Sequence, residues 1–165
     1  MNFDEPLKVL CSAEVRFVII GGVAMNLQGS AQNTNDLDVL YARDVENIQK
    51  LVAALKPYEP LLRVPGGDVP FRFDERTIKN GLNFTLVTRL GWIDLLAEIA
   101  GIGDFEAAKK LSKEIRLGDQ VVRVLSLPGL IKAKKAAGRH KDLMSLPELE
   151  ALEELERKTE LPKFE

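Results

Sequence analysis

The chain reads as an α+β protein built on a mixed β-sheet, and three observations carry that expectation. Short apolar runs rich in β-branched residues, RFVIIGG (16–22) and NDLDVLY (35–41), alternate early with helical stretches. Two pairs of strand-like segments, NFTLVT with WIDLLA and KEIRL with QVVRVLS, lie close enough in sequence to form hairpins. From Pro128 onward the pattern is helical, so the helices gather late. At 165 residues one domain is expected, with an α/β core over 1–125 and a helical segment over 126–165 packed on it.

Each element has its own warrant. Residues 5–13 suit a short helix, and RFVII is a buried strand stopped by Gly21 and Gly22. VAMNLQG (23–29) fits a brief helix ending at Gly29. After the 35–41 strand, Asp44 is placed to cap a helix through about Lys56, with Val45, Ile48, Leu51, Val52 and Leu55 at helical spacing and Pro57 as its stop. Pro60, Pro65, Gly66, Gly67 and Pro70 mark a loop. VPFRFD (69–74) reads as a strand with Arg72 facing either a cleft or solvent, and DERTIKNG as a helical turn ending at Gly81. Residues 104–112 suit a helix. The last segment reads as PGLIKAKKAAG, a short piece around Asp142, and an amphipathic helix with Pro147 near its start and Leu149, Leu152 and Leu155 in line.

Composition narrows the function classes. The sequence is 45% hydrophobic and 29% charged, ordinary for a folded domain and unlike a disordered chain. A formal net charge of −2 gives no general nucleic-acid signature. Cys11 is the single cysteine and His140 the single histidine, which rules out an intramolecular disulfide, a thiolate cluster and a histidine-based metal site. Asp4 and Glu5 stand where a secretory leader carries positive charge, and no apolar run reaches membrane-spanning length. The expectation is a soluble, cytoplasmic chain with no membrane partner.

The chemistry concentrates in GGVAMNLQGSAQNTNDLDVL, residues 21–40. Side chains alternate along a strand, so Asp36 and Asp38 share one face while Leu37 and Val39 take the other. Neighbouring carboxylates repel unless a proton, an arginine or a cation lies between them. Mg²⁺ takes oxygen ligands, commonly one or two carboxylates together with substrate phosphates. Gly21 and Gly22 expose backbone between a strand and a helix, where N–H groups can meet a phosphate, or where a tight turn simply needs glycine. Asp94, in GWIDLL, is an acid among apolar residues and needs a partner. If its strand lies beside the DLD strand, three carboxylates converge. Two can bind metal, and the third can accept a proton from an attacking hydroxyl.

Strand, GG, helix and then T-x-D-L-D resembles the nucleotidyltransferase fold of the DNA polymerase beta superfamily, especially its small bacterial members, the minimal and abortive-infection toxin-type enzymes. LIKAKKAAGRHKDLMSLPEL is similar to the lysine-rich helix and R-x-K-D tail of that group, and the resemblance spans roughly residues 16–150. It implies that Gly21 and Gly22 hold a nucleoside triphosphate, that Asp36 and Asp38 bind two Mg²⁺ ions, and that Asp94 completes the site. It implies transfer of a nucleoside monophosphate to an acceptor hydroxyl on a small molecule, a tRNA or a protein, with an antitoxin as a partner if the chain belongs to a toxin–antitoxin pair. Three positions depart from the pattern: Gln32 replaces an arginine, Val23 a serine and Ser145 an aspartate. The alternative they favour is a nucleotide-binding or regulatory protein that keeps the fold without turnover.

Lys132, Lys135 and Arg139 share a helical face, with Lys134 and Lys141 nearby. Lys132 and Lys135 are the expected phosphate contacts, against the plainer reading of a solvated face. Asp142 is expected to cap a helix or to pair with a neighbouring base, His140 to lie on the surface, and Trp92 to pack in the sheet.

Overall fold

The computed structural model describes residues 2–160. Residues 161–165, included in the expected C-terminal helical segment, lie outside the described residues. Helix α1 (Asp4–Ser12) precedes β1 (Phe17–Ile20), whose four residues are all buried. A strand covered on both faces reads as an unbroken apolar run, as FVII does. It passes directly into α2 (Gly21–Asn26), which begins at the glycine pair itself. Strand β2 (Asp36–Tyr41) returns antiparallel to β1, with Ile20 opposite Asp38. Asp44 caps α3 (Val45–Leu55) by accepting a hydrogen bond from the Asn47 amide, and Ile48, Leu51, Val52 and Leu55 are buried. Val45, at the first helical position, is exposed. Pro57 does end the α-helix, inside a short 3-10 turn at Lys56–Tyr58.

The stretch read as a loop is a hairpin, β3 (Leu61–Val64) and β4 (Gly67–Val69). Val64 faces Gly67 across a Pro65–Gly66 connection, and Gly66 has φ +96°. That is the Pro–Gly order of a turn whose second residue needs positive φ. Pro60, Pro65 and Pro70 flank the strands and interrupt neither. The strand expected over 69–74 is absent: β4 stops at Val69, before Pro70, which has no N–H for a ladder. Phe73 is buried there, and Arg72 lies in solvent, paired with Asp74 at 2.6 Å.

Asp74 caps α4 (Glu75–Asn80), which ends at Gly81. Both expected hairpins form: β5 (Phe84–Thr88) with β6 (Gly91–Leu96), and β7 (Ser112–Leu117) with β8 (Gln120–Leu125). Helix α5 (Phe105–Lys110) lies between them, capped by Asp104. Ser126 caps α6 (Leu127–Ala137), which Gly138 terminates. Among the described residues one further helix follows, α7 (His140–Glu160), with Pro147 inside it and not at its start. Helices therefore punctuate the whole chain and do not gather late.

Among the described residues the eight strands form one mixed sheet in the order β4-β3-β5-β6-β2-β1-β8-β7. The β2·β6 and β1·β8 pairs are parallel and the rest antiparallel. Leu37, Val39, Ile93 and Leu95 on one face join a core shared with α1, α3 and α4. On the opposite face of β2 and β6 stand the acids Asp36, Asp38 and Asp94, each half-buried. Leu149 and Leu152 of α7 pack on the core, whereas Leu155 is exposed.

Candidate metal centre and cleft

Parallel pairing of β2 with β6 sets Asp36 opposite Trp92 and Asp38 opposite Asp94. Side-chain alternation brings the three carboxylates to one face, where an oxygen of each lies within 4.8 Å of the others. The convergence conditional on strand adjacency is therefore realised. Such close negative charge is costly, and the protonation of the site reflects it. Burial, with repulsion from Asp94 and Asp36, pushes the Asp38 carboxyl up to about 7, against the pull of Lys134 and Lys141. Asp94 is raised chiefly by its burial; Arg63 opposes the shift, while Asp36 adds to it.

The glycine pair is fixed by this geometry. Gly21 has φ +62°, and a Cβ there would land on Asp38 Oδ2. A Cβ on Gly22 would lie 2.6 Å from Thr34 Oγ1. Gly21 is thus demanded by the close approach of the β1–α2 junction to the acidic strand, and Gly22 by Thr34 in the loop ahead of it, apart from any phosphate they meet. Val23 is buried and contributes to the core.

These residues line a cleft of about 590 Å³, within the usual range for small-molecule sites. Its acidic wall is Asp36, Asp38 and Asp94; its basic wall is Lys134, Arg139 and Lys141; Met25, Leu96 and Leu130 supply apolar surface. Lys132 and Lys135, the expected phosphate contacts, are exposed and lie outside that lining, and Lys135 instead pairs with Glu150 at 3.4 Å. Lys134 is two residues from Lys132, so it turns to the other side of α6. Asp142 pairs with neighbouring bases, accepting from Lys134 Nζ at 3.1 Å and Arg139 Nε at 2.7 Å while only 1% exposed. Burial works against its charge, but those two donors outweigh it and hold the carboxyl below its usual range. His140 is exposed, as expected.

Gln32, which lines the cleft, is tethered to α7. Its side chain donates to Glu148 at 2.9 Å and accepts from Ser145 Oγ at 3.4 Å. Glu148 also accepts from the Ala31 amide at 3.1 Å and Ser30 Oγ at 3.0 Å, so α7 pins the loop ahead of β2. Two of the three departures, Gln32 and Ser145, thus contact each other.

One residue escaped the sequence reading. Arg63 of β3 places Nη2 3.2 Å from Asp36 Oδ2 and 3.4 Å from Asp94 Oδ1, with its Cζ 4.4 Å above the Trp92 ring. Trp92 is 42% exposed and does not pack inside the sheet as expected. A guanidinium reaching two of the three acids marks a place where positive charge is favoured. Three hard carboxylate oxygens of this spacing also suit Mg²⁺ by chemistry, so the residues fit that ion.

No helix among the described residues is long and apolar enough to cross a membrane. No family model matches the chain, and no curated protein matches it. Among solved structures, it is similar to a crystal structure from Thermotoga maritima described as a "putative nucleotidyltransferase", with a TM-score of 0.50 and 15% identity over 96% of each chain. At that identity the likeness is one of fold, and it extends over nearly the entire length of both chains.

Proposed function

We propose that the chain is a Mg²⁺-dependent nucleotidyltransferase of the DNA polymerase beta superfamily, transferring a nucleoside monophosphate from a nucleoside triphosphate to an acceptor hydroxyl. The observation that carries this reading is the three-carboxylate cluster facing a basic wall across one cleft. Asp36, Asp38 and Asp94 would hold the metal, two ions by the resemblance. Bound there, Mg²⁺ would neutralise charge developing on the phosphates. Gly21 and Gly22 offer bare backbone beside the acids, and Lys134 with Lys141 takes the phosphate role first expected of Lys132 and Lys135. Asp94 would orient the acceptor hydroxyl and take up its proton. The acceptor is a small molecule, a tRNA or a protein; a toxin role requires that expression arrest growth and that a neighbouring gene product relieve it.

The experiment is calorimetry with ATP, GTP, CTP and UTP, with and without Mg²⁺, on the wild type and Asp36→Ala/Asp38→Ala. The expected outcome is Mg²⁺-dependent binding of at least one nucleotide by the wild type and none by the double variant. Absence of binding for all four removes the donor and with it the transferase. Binding without transfer to any acceptor supports the second reading, a nucleotide-binding regulator, which the uncharged, hydrogen-bonded Gln32 favours.

A further inference from the structure

We propose that Arg63 is a resident counter-cation of the three-acid site: it bridges Asp36 and Asp94 when no metal is bound and, when metal binds, releases them while keeping its stack on Trp92. The inference rests on the metal-binding reading of the triad and goes beyond it by assigning a competitor for the same oxygens. Arg63 uses a single nitrogen, Nη2, for every contact, at 3.2 Å to Asp36 Oδ2 and at 3.4 and 3.5 Å to the two oxygens of Asp94. An arginine committed to one carboxylate makes a short two-pronged fork. Here the contacts are long, single-pronged and divided between two acids, which is the geometry of a shared counter-ion. A divalent cation taking the same oxygens would meet positive charge already in place.

The released group keeps a partner. The guanidinium already lies over the Trp92 ring, and cation–π attraction there persists after the carboxylates release it. Trp92 stands on the acid-bearing face opposite Asp36 and is 42% exposed. Arg63 is delivered by the edge hairpin, whose outer strand β4 spans three exposed residues, Gly67–Val69, so little packing resists a small retreat. Lysine would not serve equally, because it lacks the flat group that stacks on an indole.

Trp92 is the only tryptophan in the chain, so its emission reports this exchange without nucleotide or turnover. The test titrates Mn²⁺ into the nucleotide-free protein, following bound metal by electron paramagnetic resonance and Trp92 by fluorescence. The wild type should bind Mn²⁺ with a change in emission. Arg63→Met should bind roughly tenfold more tightly, corresponding to about 1.4 kcal/mol, and its emission should respond little. Arg63→Lys, which keeps the charge without the stack, should fall between them and serves if the methionine variant folds poorly. Equal or weaker Mn²⁺ binding by Arg63→Met, with binding by the wild type intact, overturns the inference and leaves the metal reading standing. Absence of Mn²⁺ binding by all three proteins overturns both.

Discussion

Asp38 sits where three negative groups meet, and its protonation couples to the stability of the fold. Its carboxyl is pushed up to about 7 by burial and by its two acidic neighbours, against roughly 3.9 for an unfolded aspartate. Between about pH 4 and 7 the folded chain therefore holds a proton that the unfolded chain has lost. Stability contributed through this group falls as pH rises across that window and is level above it, by a few kcal/mol at most. Asp44, Asp142 and Glu148 shift downward, so their contributions are gained at and below the ordinary carboxylate range, outside that window. Asp38→Asn, neutral throughout, should match the wild type near pH 4.5 and exceed it at pH 8 in metal-free buffer. Urea midpoints at the two pH values measure this, and an equal decline in both proteins would refute it. The acids were legible in the sequence because strand alternation alone puts Asp36 and Asp38 on one face. Arg63 was not, because nothing local in LLRV tells which strands separate it from them. Helical spacing groups Lys132 and Lys135 on one face without saying which face meets the cleft, so it does not single out Lys134.

Helices α6 and α7 carry the basic wall, and a buried carboxylate ties it together. Asp142, in the first turn of α7, accepts from Lys134 of α6 and from Arg139 in the connection between the helices. Asp142→Ala would leave Lys134, whose side chain is only 19% exposed, without its partner. The expected loss is about 2–3 kcal/mol, below the full cost of breaking a fully buried pair because Arg139 can turn to water. Asp142→Asn should lose less by keeping an acceptor. Chemical denaturation decides it: an unchanged midpoint for Asp142→Ala would mean that apolar packing alone joins the helices. The sequence leaves Asp142 either a cap or the partner of a neighbouring base, and the structure shows the second. The course of α7 was harder to read, because Pro147 usually marks a helix start, whereas here the chain stays helical across it. Pro147 precedes Glu148, whose side chain reaches Ser30, Ala31 and Gln32. The β3–β4 hairpin was hidden for a related reason: three prolines in eleven residues look like a loop unless they fall at strand ends, as these do.

Across the molecule, the sheet order explains why the acids remain together despite their repulsion. β1 and β2 lie centrally, and β6 pairs with β2 in the interior of the sheet, so strand register and a close-packed core hold Asp38 and Asp94 opposite each other. That order follows from crossovers between segments distant in sequence, which periodicity does not encode. The mixed α+β class was readable and the strand neighbours were not. A rigid scaffold that concentrates unfavourable charge should gain global stability when a cation binds its native state. Mg²⁺ at about one hundred times its dissociation constant would add roughly 2.7 kcal/mol. For a domain of this size that raises the melting temperature by about 5–10 °C. The rise should be larger at pH 8 than at pH 6, because a proton on Asp38 competes with the metal at the lower pH. Asp36→Ala/Asp38→Ala should melt higher than the wild type in metal-free buffer at pH 8 and respond little to Mg²⁺. Scanning calorimetry of both proteins at the two pH values tests the whole linkage. An equal Mg²⁺ response in the two proteins would place the ion elsewhere on the chain, and a larger wild-type response at pH 6 would remove Asp38 from its binding.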